Sequence, residues 1–199
     1  MSEIVFLIGH PASGKTSLYR LISLGLEVQG FTTRRVNDRE YFNRVIREDA
    51  GQKLHRKSPD GTRMSTTPAL FERLFSLLKQ DLIETRWEED WVFVETTSAD
   101  YESTLKQLGL DFLQTCSLVL VLAPYAVAMQ RNDRRAWISE DLDEGRVHDH
   151  YIRACFEQKF KLEGMMPLFR KAIALHNGSS DHLEMESLAS EAVRWLLQG

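Results

Sequence analysis

Hydrophobic residues in this chain fall into short solid runs, separated by longer stretches where they recur three or four positions apart. Ile4-Val5-Phe6-Leu7-Ile8, Trp91-Val92-Phe93-Val94 and Leu118-Val119-Leu120-Val121-Leu122 are continuous apolar runs, and Ala172-Ile173-Ala174-Leu175 is a shorter one. Such runs suit strands covered on both faces, as in a parallel sheet. Val28 to Phe31, after a break at Gly25, predicts a further short strand. Helical spacing occupies Ser17 to Leu24, Leu105 to Leu113, and the last stretch with Leu183, Leu188, Val193, Leu196 and Leu197. Leu70, Leu74, Leu77, Leu78 and Leu82 line one side of another helix, with Thr67 as its cap and Pro68 at its first position.

Tyr41 to Glu48 and Lys53 to Lys57, separated by Asp49-Ala50-Gly51, read as a β-hairpin insert, with a turn at Ser58-Pro59-Asp60-Gly61. Tyr125 to Phe169 reads as helical and highly charged, interrupted near Asp143-Glu144-Gly145. Alternating strands and helices predict one α/β domain over 1–199, three layers around a parallel sheet of five strands. The hairpin insert, about 32–66, and a region of about 125–165 stand apart from that frame.

The first apolar run ends in Gly9-His10-Pro11-Ala12-Ser13-Gly14-Lys15-Thr16, and a helix follows. In the pattern G-x-x-x-x-G-K-[ST], glycines let the backbone turn so that successive N–H groups point at phosphate oxygens. The helix N-terminus adds partial positive charge. Lys15 can reach the β- and γ-phosphates, and the Thr16 hydroxyl suits a Mg2+ ion bridging them. A nucleotide such as ATP is therefore expected at Gly9, Ala12, Ser13, Gly14, Lys15, Thr16 and Ser17.

Composition narrows the picture only slightly. The 199 residues suffice for one well-packed domain, with 43% hydrophobic and 27% charged residues. A net charge of −4 provides no global field for nucleic acid, so a polynucleotide would need a local basic patch. Two cysteines, Cys116 and Cys155, lack metal-ligand spacing. No leader pattern and no membrane-length apolar run are expected, which makes the cytoplasm the default location.

With these elements in place, the chain resembles the P-loop nucleoside and nucleotide kinases. That resemblance implies the three-layer P-loop NTPase fold, a substrate-side insert after the second strand, an acidic residue ending the third, and an arginine-bearing lid over about 125–165. Gly30-Phe31-Thr32-Thr33-Arg34-Arg35 is similar to a Thr-Thr-Arg signature of guanylate kinases, which implies that Arg34 and Arg35 bind substrate. Two guanidiniums at a strand end could also fork onto an oxyanion on physical grounds alone, or form a solvated basic turn. Glu95 closes the strand Trp91–Val94; by resemblance it is either a Mg2+ ligand acting with Thr16 or the base that accepts a hydroxyl proton.

Arg131 and Arg135 share a helix face and resemble lid arginines that neutralise the transferring phosphoryl group, although neighbouring acids also fit a salt-bridged surface helix. Leu175-His176-Asn177-Gly178-Ser179-Ser180 is similar to the loop that lies against adenine in these kinases, which would add Asn177 and Gly178 to the nucleotide contacts; a plain turn is the other reading. Thr96 to Asp100 either contacts substrate or caps a loop.

The implied activity is ATP-dependent transfer of the γ-phosphate to a small-molecule acceptor, with Lys15, Glu95, Arg131 and Arg135 as the catalytic set. The acceptor could be a nucleoside, a nucleotide or another hydroxyl compound. Two rivals remain at this stage: a P-loop nucleoside triphosphatase, whose resemblance is weakened by Val94-Glu95 in place of an Asp-Glu pair, and a nucleotide-binding regulatory module without turnover.

Overall fold

A computed structural model describes residues 2–49, 51, 53–57, 63–65, 68–98, 101–135, 147–157, 162–179 and 181–198. The chain alternates strand and helix from the start: β1 (Glu3–Gly9), α1 (Lys15–Val28), β2 (Thr33–Asn37) and α2 (Asp38–Glu48). A small hairpin, β3 (His55–Lys57) and β4 (Arg63–Ser65), precedes α3 (Pro68–Glu84) and β5 (Trp91–Thr96). Then come α4 (Tyr101–Leu108), α5 (Leu110–Leu113), β6 (Ser117–Leu122), α6 (Tyr125–Asp133) and α7 (Asp149–Phe156). A 3-10 helix (Leu162–Leu168), β7 (Lys171–His176) and α8 (His182–Leu197) complete it.

Five strands form one parallel sheet in the order β2-β5-β1-β6-β7. The solid apolar runs are its centre, and the pleat sends alternate residues into two cores. Phe6 and Ile8 pack with α2, α3 and α4, whereas Val5 and Leu7 pack with α1 and α8. Each fully buried Leu or Phe contributes roughly 1.5–3 kcal/mol, and the buried polar residues of the central strands, Ser117, Glu95 and Thr96, stand at strand ends. From β1 the chain crosses to one side of the sheet, and from β5 it crosses to the other. That reversal leaves a crevice beyond the carboxyl ends of β1 and β5, where ligands bind in open α/β sheets.

Five expectations change. Gly25 does not end the first helix: α1 runs on to Val28, and a Cβ at Gly25 would sit 2.9 Å from Cγ2 of Val193 in α8. The glycine marks close helix packing, and the second strand is Thr33–Asn37 rather than Val28 to Phe31. That strand is polar because it is a sheet edge, with only β5 beside it. Tyr41 to Glu48 is helix, not hairpin. Tyr41, Val45 and Ile46 bury one helical face, and Asn37 caps the start by accepting from Arg39 N–H at 2.9 Å.

The hairpin exists one element later, in β3 and β4. Leu105 to Leu113 divides at Gly109 into α4 and α5. Tyr125 to Phe169 comprises α6, α7 and the 3-10 helix. Expectations at Ala50, Ser58 to Gly61, Thr67, Ala99-Asp100, Asp143-Glu144-Gly145 and Ser180 lie outside the described residues. Among the described residues, no helix is long and apolar enough to cross a membrane.

Candidate active site

The loop between β1 and α1 is shaped for an anion. Ala12 and Gly14 take left-handed backbone angles, φ 59° and 98°, which turn the chain back on itself. Gly14 then stands at the helix cap with no side-chain hydrogen bond there, and the first turn of α1 contains no acidic residue. The opening N–H groups of a helix need partners, and among the described residues neither a side-chain cap nor a first-turn carboxylate supplies one. Phosphate oxygens suit such N–H groups. The Lys15 ammonium rests on the carbonyls of Gly9 and His10, at 2.9 and 3.0 Å. Burial pushes its pKa below the usual lysine range and Arg135 pushes the same way, while Glu95 and Asp38 oppose the shift.

Thr16 and Glu95 meet at the crevice. Thr16 Oγ1 donates to Glu95 Oε1 at 2.9 Å. Arg35 occupies the other oxygen, with Nε at 2.9 Å and Nη2 at 2.7 Å from Oε2. Two hard oxygen donors at one point, with phosphates alongside, suit Mg2+. No described group of three or more His, Cys, Asp or Glu could hold a metal without help. The arrangement fits an ion shared with a polyphosphate.

Strand alternation separates the two arginines expected to bind substrate. Arg35 faces α1 and forks onto Glu95, while Arg34 shares the face of Val36 and is exposed. Arg131 and Arg135 also part company. Arg131 reaches across the back of the loop to the Ser13 carbonyl at 3.0 Å and to Asn177 Oδ1 at 2.7 Å. Arg135 lies near enough to Lys15 to depress its pKa. Gly178 N–H donates to Glu184 Oε1 at 3.0 Å, and Ser17 is exposed just beyond Thr16.

Asp38, in a stretch Asp38-Arg39-Glu40-Tyr41-Phe42 only loosely similar to the acidic and aromatic positions that follow the Thr-Thr-Arg signature, was given no site role by the sequence. It opens α2 directly after β2, so the crevice receives it beside the end of β5. Its Oδ2 accepts from Thr96 Oγ1 at 2.7 Å and from Thr97 N–H at 3.0 Å. Oδ1 takes no hydrogen bond from any described residue. Burial lifts its pKa to about 6, and Glu95 adds to the rise. Tyr101 was also missed. Its hydroxyl donates to the Gly9 carbonyl at 2.7 Å and lies 3.1 Å from that of Thr96, tying the phosphate loop to β5.

The α7 helix completes the surroundings: Tyr151 and Cys155 stand one turn apart on it, their charges felt by Asp38 and Lys15, and burial raises the Cys155 thiol to about 11. Next to the loop, a cavity of about 410 Å3 is bounded by His10, Phe156 and the ends of β6 and β7. The His10 ring stacks on Phe156 at 4.0 Å, and its pKa falls to about 4 through burial and the charge of Lys15. His10 is thus neutral at physiological pH, leaving Lys15 as the cation of the loop itself. Ser98 is buried, and its hydroxyl is hydrogen-bonded to that of Thr104 at 2.9 Å.

No protein-family model matches the chain, and no curated protein matches it. Solved structures do. Shikimate kinase from Acinetobacter baumannii in complex with shikimate is 16% identical, covering 100% of this chain and 94% of its own, with a TM-score of 0.54. A gluconokinase from Sinorhizobium meliloti is 13% identical over 98% of this chain and 95% of its own, with a TM-score of 0.57. Kti12 from Chaetomium thermophilum, in complex with ADP-AlF3, is 14% identical over 95% and 96%, with a TM-score of 0.56. With these likenesses and its five-stranded parallel sheet, the chain has the P-loop NTPase and kinase fold.

Proposed function

We propose that the protein transfers the γ-phosphate of ATP to a hydroxyl group on a small molecule. The observation that carries this reading is Asp38: a second carboxylate beside the phosphate loop, separate from Glu95, with one oxygen pinned and the other open. A triphosphatase needs only to orient water. A kinase needs a base aimed at an acceptor hydroxyl, and a half-buried carboxylate lifted to about 6 is matched to that task near neutral pH.

The roles follow from position. Main-chain N–H groups from Gly14 to Thr16 and the Lys15 ammonium hold the polyphosphate, while the Ser13 N–H is spent on the His10 carbonyl. Asp38 Oδ1 takes the proton of the acceptor hydroxyl as its oxygen bonds to the γ-phosphorus. The bond from that phosphorus to the bridging oxygen breaks, and ADP leaves. Arg135 neutralises the charge spread over the equatorial oxygens. Thr16 and Glu95 would hold Mg2+, whose chemistry is to draw charge from the β- and γ-oxygens. Arg35 keeps Glu95 aimed at that point.

Kinases named for small organic molecules, shikimate and gluconate, share this fold and support the reading. The likeness to Kti12 with its ADP-AlF3 supports a second one, nucleotide hydrolysis without an acceptor. A screen of ADP release across neutral sugars, nucleosides, amino alcohols and hydroxy acids separates them. Acceleration of at least tenfold by one acceptor class, with the phosphorylated product isolated, is the expected result. Steady release that no acceptor changes would favour hydrolysis and sink the kinase reading.

A further inference from the structure

Two side chains hold the carbonyl oxygen of Ser13 from behind the phosphate loop. Asn177 Nδ2 donates to it at 2.7 Å, and Arg131 Nη1 donates at 3.0 Å. The two are themselves joined, Arg131 Nη2 donating to Asn177 Oδ1 at 2.7 Å and also to the Ser179 carbonyl. Asn177 is fully buried, and its own N–H donates to Leu122 O at 2.7 Å, which fixes it to the end of β6. The orientation of its amide has one solution: a guanidinium only donates and a carbonyl only accepts, so Oδ1 must face Arg131 and Nδ2 must face Ser13.

A trans peptide is planar, with its C=O and N–H on opposite sides. Holding the Ser13 oxygen against Asn177 and Arg131 therefore turns the Gly14 N–H the other way, toward the mouth of the loop. That N–H donates to no acceptor among the described residues. Gly14 permits the arrangement, since a Cβ there would lie 2.5 Å from Asn177 Nδ2.

We propose that Asn177 is a positioning residue of the phosphate loop: together with Arg131 it locks the Ser13–Gly14 peptide so that Gly14 N–H is presented to the polyphosphate. The inference rests on the nucleotide-binding reading above and assigns Asn177 a task other than touching the base. Because the clamp also holds Ser179, the loop after β7 and the phosphate loop keep a fixed spacing.

The test compares two probes, ADP and inorganic tripolyphosphate, which has no base. Asn177→Asp keeps the shape but places an acceptor against the Ser13 carbonyl. Calorimetry should show both probes weakened at least tenfold, and by the same factor within about threefold, while the melting temperature and far-ultraviolet circular dichroism confirm a folded protein. A loss confined to ADP would overturn the proposal in favour of base contact, and so would no loss for either probe. Should Asn177→Asp fail to fold, Arg131→Lys, which removes the forked donation but leaves Asn177, must show the same parallel loss at smaller size; unequal or absent loss again overturns it. Wild-type protein that binds neither probe would instead defeat the nucleotide-binding reading, so the two failures are distinct.

Discussion

Thr16 Oγ1 and Glu95 Oε1 lie 2.9 Å apart, although 79 positions separate the two residues in sequence. The sheet order brings them together, since β1 and β5 are neighbours and Leu7 pairs with Glu95. Glu95→Gln removes charge from that point while keeping its size. The Mg2+ concentration giving half-maximal turnover at fixed ATP should rise about tenfold or more, in line with the loss of a metal-site partner. Stability should fall by about 1–3 kcal/mol, because Arg35 loses its ionic acceptor. An unchanged Mg2+ requirement would remove Glu95 from the ion site.

Lys15 is buried and its ammonium spends its hydrogen bonds on the carbonyls of its own loop. Folding thus takes a charge out of water for weak return, whereas a bound polyphosphate gives that charge a partner. Lys15→Ala should leave the melting temperature equal or higher and reduce ATP affinity by about 100-fold or more, near 3 kcal/mol. Nucleotide binding that survives the substitution intact would refute the phosphate-loop assignment.

The parts legible in the sequence were those fixed by local chemistry. The glycine-lysine-threonine pattern located the anion loop, and the solid apolar runs marked four of the five sheet strands, three of them central and covered on both faces and the fourth the partly covered edge β7. The edge strand Thr33–Asn37 escaped notice, since Thr-Arg-Arg-Val-Asn has neither apolar continuity nor clean alternation. Its neighbour α2 was misread for a related reason: eleven residues rich in Arg, Asp and Glu bury only Tyr41, Val45 and Ile46, a stripe too thin to separate from a strand. That misreading concealed Asp38, whose place at a helix start beside β5 becomes visible only once β2 is assigned. Arg131 and Arg135 looked equivalent by spacing. The fold divides them: Arg131 hydrogen-bonds behind the loop, whereas the charge of Arg135 is felt at Lys15.

Asp38 predicts a pH dependence whose sign can be worked out. As the acceptor base it must be ionised, so turnover should climb with pH through about 6 and level off above it. Asp38→Asn should abolish that acid limb and lower kcat by about 10²–10⁴, with nucleotide affinity within threefold. Stability moves the opposite way. A carboxyl whose folded pKa is raised from 3.8 to about 6 binds its proton more tightly when folded, so its presence costs stability progressively as pH rises through that interval. The variant should therefore melt higher than wild type at pH 7, with the difference vanishing near pH 4. A wild-type rate profile flat from pH 5 to 8 would exclude Asp38 as the base.

Arg131 and Arg135 should yield opposite kinetic signatures. The charge of Arg135 is felt at Lys15, where charge on the moving phosphoryl group grows in the transition state, whereas Arg131 spends its donors on Ser13, Asn177 and Ser179. A group that acts only in the transition state lowers kcat and kcat/KM together and spares ground-state binding. Arg135→Ala should accordingly reduce kcat by about 10³ and leave the ADP dissociation constant within threefold. Arg131→Ala should weaken ADP binding by tenfold or more and lower the melting temperature, with a smaller loss in kcat at saturating ATP. Steady-state kinetics beside ADP calorimetry on both variants decides the matter. Equal losses in binding and turnover for the two would mean that both arginines serve the same surface, contrary to the separation their contacts impose.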